Sequence, residues 1–185
     1  MNYRTSKWTY NTGASVGASI GTFSASKGML VLYAPSGTPK RFNFSTFGMV
    51  IGARLPKSIR LPDIALPRGH GITASGSTTD FWADGIVLLH PAFPGSELST
   101  NDFCGGTFSA NLEGGLLIAK GYTAMHVGIP VQMILASSFN PALAGLAANS
   151  AKAIILMKGI SEGLVDGISL SSSIGAISYD GDYID

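Results

Sequence analysis

Serine, lysine and histidine occur in this 185-residue chain in several spacings that catalytic sites use, and each spacing makes a demand on the fold around it. Two overlapping G-x-S-x-G runs, Gly13–Gly17 and Gly17–Gly21, centre on Ser15 and Ser19. As a nucleophile elbow, the motif is a strained strand-to-helix turn that lifts its serine beside an oxyanion hole. No helical pattern follows it here, and no strands precede it to supply the hole. Two registers side by side read instead as Gly/Ser alternation on one face of a strand. Ser24-Ala25-Ser26-Lys27 matches S-x-x-K, in which a lysine activates a serine, but the companion S-D-N and K-T-G motifs are missing. A polar turn between strands explains it more simply.

The three histidines, His70, His90 and His126, show none of the i, i+4 spacing of a helical metal site. Cys104 and these imidazoles are scattered, so no metal and no cofactor is expected. Asp80 and Asp84 flank Phe81-Trp82 as an acid pair or a solvated loop, the loop being the simpler reading. No phosphate-cradling or dinucleotide glycine motif is present. An enzyme built on this chain would have to bring Ser15, His90, His126 and Asp84 within hydrogen-bond reach of one another.

The elements that would have to position such groups are strands. Apolar residues make up 45% of the chain, enough to fold around a core without disulfides or metal. Charged residues make up 12%, against a usual quarter or so, and there are 24 glycines. That composition opposes disorder and suits strands that bend or approach closely. Val16, Ala18, Ile20 and Thr22 alternate with Gly17, Ser19 and Gly21, and Met29–Tyr33 reads as the partner strand after a turn at Ser26-Lys27-Gly28. Phe42, Phe44 and Thr46 alternate with Asn43 and Ser45 in a strand that runs on to Ile51. Further strands are expected at Ile72–Ser75, Gly85–His90, Thr107–Leu112, Leu116–Lys120, Tyr122–Val127, Val131–Ala136 and Ile168–Tyr179, with a capped turn at Ser99–Asp102. Asn140 as N-cap, Pro141 at the first helical position, an Ala/Leu-rich run, Lys158 and Gly159 predict one α-helix over about 141–158. The expected fold is mainly β, an antiparallel barrel or sandwich with that one helix, over a single domain spanning 1–185. Leu-Pro occurs three times in 55–70, which predicts an extended surface connector.

Charge is distributed unevenly. Residues 1–79 hold nine basic side chains and one acid, or +8, while residues 80–185 hold three basics and ten acids, or −7. Either the two halves interleave and neutralise one another, or Lys40, Arg41, Arg54, Lys57, Arg60 and Arg68 form a basic surface for an anionic partner. Basic residues do not interleave with aromatics, so nucleic acid is not an expected partner. Gly121 to Ala151 carries no formal charge, yet Pro130, Gln132 and Asn140-Pro141 interrupt it, which favours buried core over a membrane span. Cys104 is alone, so no internal disulfide forms. Residues 1–12 lack the apolar segment of a secretory signal, which leaves signal-independent delivery open.

The stretch Gly95–Gly106, with Glu113–Leu117 and Gly121–Met125, resembles a pattern in uncharacterised Gly-rich bacterial proteins associated with contractile-injection (type VI-like) secretion loci. The resemblance implies a delivered or delivery-associated protein, resident in the bacterial cytoplasm before export, and brings no catalytic residues. Three readings follow. The first is a non-enzymatic binding or structural module with a protein partner or a second copy of itself. The second is a membrane-active, pore-forming effector that docks on anionic lipid. The third is a barrel for a small apolar ligand, or a hydrolase.

Overall fold

A computed structural model describes residues 3–20, 23–49, 84–114, 118–162 and 168–183. The expected strand at 72–75 and the Pro-spaced connector at 55–70, with Arg54, Lys57, Arg60 and Arg68, lie outside them. Among the described residues eight strands are formed: β1 (Arg4–Ile20), β2 (Phe23–Tyr33), β3 (Pro39–Met49), β4 (Asp84–Leu89), β5 (Gly105–Gly114), β6 (Ile118–Ile129), β7 (Ala153–Glu162) and β8 (Ile168–Asp182). They close into a barrel in the order β1-β2-β3-β8-β5-β6-β7-β4, with every neighbouring pair antiparallel. Of the two architectures that the alternation allowed, the barrel is the one formed, and closure pairs every strand on both sides.

Alternation along each strand sorts the side chains. Trp8, Leu30, Leu32, Phe42, Phe44, Val87, Leu89, Met125, Val127, Ala153, Ile155 and Ile177 point inward into one cluster with Leu98 and Phe103. The inner face turns polar further along at Thr46, Thr107 and Ser109, which are buried as well. An eight-stranded barrel is just wide enough for side chains to fill. Residues 90–104 close the apolar end. Trp8 Nε1 donates to the Leu98 carbonyl at 2.8 Å, and Arg4 donates to the carbonyls of Phe93 and Gly95, both at 2.9 Å. Glu97 accepts from Ser6 Oγ and from the amides of Lys7 and Leu98. Burial works to raise the Glu97 carboxyl, but these bonds outweigh it and hold the group below its ordinary value. The capped turn appears as a 3₁₀ turn over Thr100–Asp102, with Ser99 and Asp102 forming a capping box.

Several expectations are corrected. The helix over 141–158 is replaced by a 3₁₀ turn (Pro141–Leu143), a six-residue helix α2 (Ala144–Asn149) and the first half of β7. Asn140 does cap, its Oδ1 accepting the Ala142 amide at 3.1 Å, and Ser150 Oγ ends the helix by donating to the Ala147 carbonyl at 2.7 Å. Beyond it, Ala153–Met157 is inserted between β4 and β6, where Ala153 and Ile155 fill the barrel and Ile154 lies buried on its outside. Two-sided burial of β-branched residues overrides the modest helix propensity of the alanine run. Gly159, expected as a C-cap, pairs with Gly121 in the sheet. Val131–Ala136, expected as a strand, belongs to a helix α1 (Val131–Phe139), which starts directly after Pro130. The turn at Ser26-Lys27-Gly28 is absent, because β2 pairs with β3 in unbroken register from Phe23 to Tyr33. Leu116–Lys120 and Tyr122–Val127 fall largely on one strand, β6. β1 starts at Arg4, and its alternation of Ser6, Trp8 and Tyr10 is a strand signal that the Gly/Ser pattern downstream overshadowed.

Gly128 fastens the closing segment to the sheet. Its φ is +69°, and a Cβ there would lie 2.0 Å from the Asp102 carbonyl oxygen. Gly128→Ala is expected to lose more than about 2 kcal/mol, from left-handed strain and overpacking together. Urea unfolding measures it, and an unchanged midpoint would show that residue 102 does not press on this glycine.

Candidate interaction surface

On the outside of the barrel, register places one row of residues across six strands. Phe47, Ile174, Phe108, His126, Ile154 and Leu88 are successive cross-strand partners on β3, β8, β5, β6, β7 and β4. Five of the six are apolar. Phe108, His126, Ile154 and Leu88 are buried, while Phe47 at the end of the row is 57% exposed.

Helices α1 and α2 cover the middle of this row. Ile134 of α1 and Ala147 and Ala148 of α2 pack on Phe108, Ala110 and Ile129, with Ile174 beside them. The alanines let α2 lie close. At Gly106 an added Cβ would come within 2.2 Å of Ile134 Cγ1, so only glycine leaves room for α1. Ser137 also faces the barrel, and its hydroxyl is satisfied by the Met133 carbonyl at 2.7 Å.

The outer side of the same layer carries apolar residues too. Val131, Leu135 and Phe139, at i, i+4 and i+8 of α1, are 49%, 55% and 89% exposed, and Leu146 of α2 is 58% exposed. Residues four apart form one stripe on a helix. No formal charge occurs between Gly121 and Ala151 to break it. Gln132 and Ser138 are the exposed polar side chains of α1 beside this stripe.

The basic residues singled out in the sequence have a different environment. Lys40 Nζ lies 2.6 Å from Asp182, and Arg41 Nε lies 2.7 Å from Asp180, across the β3–β8 seam. Tyr179 donates to the same Asp182 carboxylate. The hydrogen bond to Asp182 holds the Lys40 ammonium above its ordinary value. At this seam the basic first half and the acidic second half of the chain interleave. Lys152, next to the uncharged stretch, is bound to Asp102 at 2.8 Å.

The residues a catalytic reading would need are placed as follows. Ser15 pairs with Gly28 across β1 and β2, and Asp84 opens β4 opposite Lys158. His126 faces outward from β6 with its ring 5.9 Å from that of Phe108, and its Nδ1 has no hydrogen-bond partner. Burial, reinforced by the neighbouring charge of His90, pushes the His126 imidazole down to about 4. His90 accepts the Ala92 amide on Nδ1 at 3.2 Å and meets the Tyr3 ring edge-on. Neither of these Nδ1 atoms is hydrogen-bonded to a hydroxyl, thiol or carboxylate. Cys104 is half-buried, with Sγ 3.7 Å from the Thr100 carbonyl. No group of three or more His, Cys, Asp or Glu among the described residues could hold a metal ion. No helix among them is long and apolar enough to cross a membrane.

The apolar helical layer was missed in the sequence because Val131–Ala136 reads equally well as a buried strand. The i, i+4, i+8 spacing of Val131, Leu135 and Phe139 was the available signal. No known family model, curated protein or solved structure matches the chain.

Proposed function

We propose that this chain is a non-enzymatic binding module that docks an uncharged, apolar surface of a protein partner on its α1–α2 layer. The observation that carries this reading is the exposure of Phe139, 89%, within a stripe of exposed Val131, Leu135 and Leu146. Exposed apolar patches of this kind mark interaction sites. The packed barrel supplies a rigid base, and aromatic or aliphatic anchors on a rigid element carry most of the energy of such contacts. A lipid surface is the less suitable partner. Interfacial helices carry lysine or arginine beside their apolar face, whereas this layer is uncharged and neighbouring Lys152 is already paired with Asp102. The secretion-associated setting implied by the resemblance at Gly95–Met125 is part of the same proposal.

An environment-sensitive apolar dye tests the docking face directly. The native protein is expected to enhance its fluorescence, and Phe139→Ser combined with Leu135→Ser to reduce that enhancement several-fold. In dilute protein the substitutions are expected to leave unfolding within about 0.5 kcal/mol of the parent, because they touch exposed positions. Equal dye response from the folded variant would refute the docking face. Salt-sensitive leakage from anionic vesicles would instead favour the membrane-active reading.

A further inference from the structure

We infer that the partner seated on this layer is a second copy of the same chain, paired through α1 about a two-fold axis at Leu135. This rests on the docking reading above and narrows it. In a two-fold interface each patch must be complementary to itself. The α1 stripe meets that condition. Val131, Leu135 and Phe139 are evenly spaced over about 12 Å of helix, with Leu135 at the centre. Antiparallel apposition about that centre sets Leu135 against Leu135 of the partner subunit, and the small Val131 against the large Phe139 of the partner subunit. Large meets small at both ends. Ridges of residues four apart are also the rows that interlock when two helices pack at about −50°.

Charge and area agree with this arrangement. No charged residue lies between Gly121 and Ala151, so apposing two copies of the layer brings no like charges together. Val131, Leu135, Phe139, Leu146 and Phe47 together expose roughly 500 Å² of side chain, and a standard interface uses about 800 Å² per partner. Phe47 joins the patch through its cross-strand neighbour Ile174, which packs beside the helices. Five side chains thus provide well over half of what one side of a dimer needs.

Sedimentation equilibrium from micromolar to hundred-micromolar protein, at low and high salt, tests the pairing. The native chain is expected to dimerise, with an affinity that salt does not weaken. Leu135→Ser and Phe139→Ser are each expected to weaken association at least tenfold. As an independent readout, Leu135→Cys in a Cys104→Ser background should form a disulfide-linked dimer under mild oxidation, while Ser36→Cys, exposed in the β2–β3 turn and not part of the α1 stripe, should not. A native chain that stays monomeric throughout, or a dimer indifferent to both serine substitutions, would overturn the inference. If the chain is monomeric but Phe139→Ser still abolishes the dye response, self-pairing falls and the docking face stands. If the dye response is also indifferent, both readings fall.

Discussion

Phe103→Ala is expected to destabilise the protein by about 3–5 kcal/mol, the range for removing a fully buried phenylalanine ring. Phe103 is 0% exposed and follows the 3₁₀ turn that closes the apolar end of the barrel. Its ring centroid lies 4.8 Å from that of Trp8 and 5.3 Å from that of Phe42, so three aromatic rings share one contact. Truncation leaves a cavity that Trp8 cannot fill, because its Nε1 is tied to the Leu98 carbonyl and its strand is fixed on both sides. The closing segment also loses its main apolar anchor inside the barrel, though Leu98 and the Glu97 bonds remain. Urea unfolding followed by tryptophan fluorescence, in protein dilute enough to be monomeric, measures the loss, with Phe139→Ala as the exposed control, expected within about 0.5 kcal/mol of the parent. A Phe103→Ala loss below about 1 kcal/mol would mean that the aromatic contact does not hold this end closed.

Acid is expected to weaken the fold well before its carboxylates titrate, and His126 is the reason. In the unfolded chain an imidazole takes up its proton near 6.5, whereas in the folded barrel His126 does so only at about 4. Above the first value both states are neutral and stability is level. Between the two the unfolded state binds a proton that the folded state refuses, so stability falls as the pH falls and levels off below about 4. The full loss is about 3 kcal/mol, with about 2 kcal/mol of it gone by pH 5. Burial lowers His90 as well and adds to the loss with the same sign. Glu97 and Asp102 are held below their ordinary values of 4.5 and 3.8, so their contribution is present above those values and is lost only in stronger acid. The interval from pH 6.5 to 5 therefore isolates the histidines. His126→Phe removes the proton site and the unpartnered Nδ1 together. It is expected to be at least as stable as the parent at pH 7 and to have a clearly shallower slope over that interval. An unchanged slope would assign the acid sensitivity to another group.

Much of the barrel was legible as local pattern. Phe42, Phe44 and Thr46 against Asn43 and Ser45 identify β3 and its inner face, and Ile168–Tyr179 marks most of β8, because a period of two survives wherever one side of a strand is buried. The segment from Val131 to Met157 was misread in both directions. Its apolar residues come in short runs that fit a buried strand as well as a helix, and only the i, i+4, i+8 spacing of Val131, Leu135 and Phe139 favours a helix at its start. What decided the outcome was the space offered by neighbours: a gap between β4 and β6 that takes Ala153–Met157 as a strand, and a flat row at Phe108 and Ile174 that takes α1 and α2 as a cover. The surface proposed here was hidden for the same reason. Composition would bury Leu135 and expose Ser137, yet Ser137 faces the barrel with its hydroxyl satisfied while Leu135 stands out.

By itself the sequence determined that the chain is rich in strands and that its single cysteine leaves the core to form without an internal disulfide. Those properties depend on residue type and short-range period. Tertiary structure alone decided that the sheet closes, through pairings as distant as β1 with β4 and β3 with β8. It also set Lys40 and Arg41 against Asp182 and Asp180, joining the two oppositely charged halves at one seam. The physical reason is common to these outcomes and to the exposed side of α1. Sheet closure, charge pairing and the exposed side of a helix are set by groups far apart in the chain, and the free energy that selects them exists only once those groups meet.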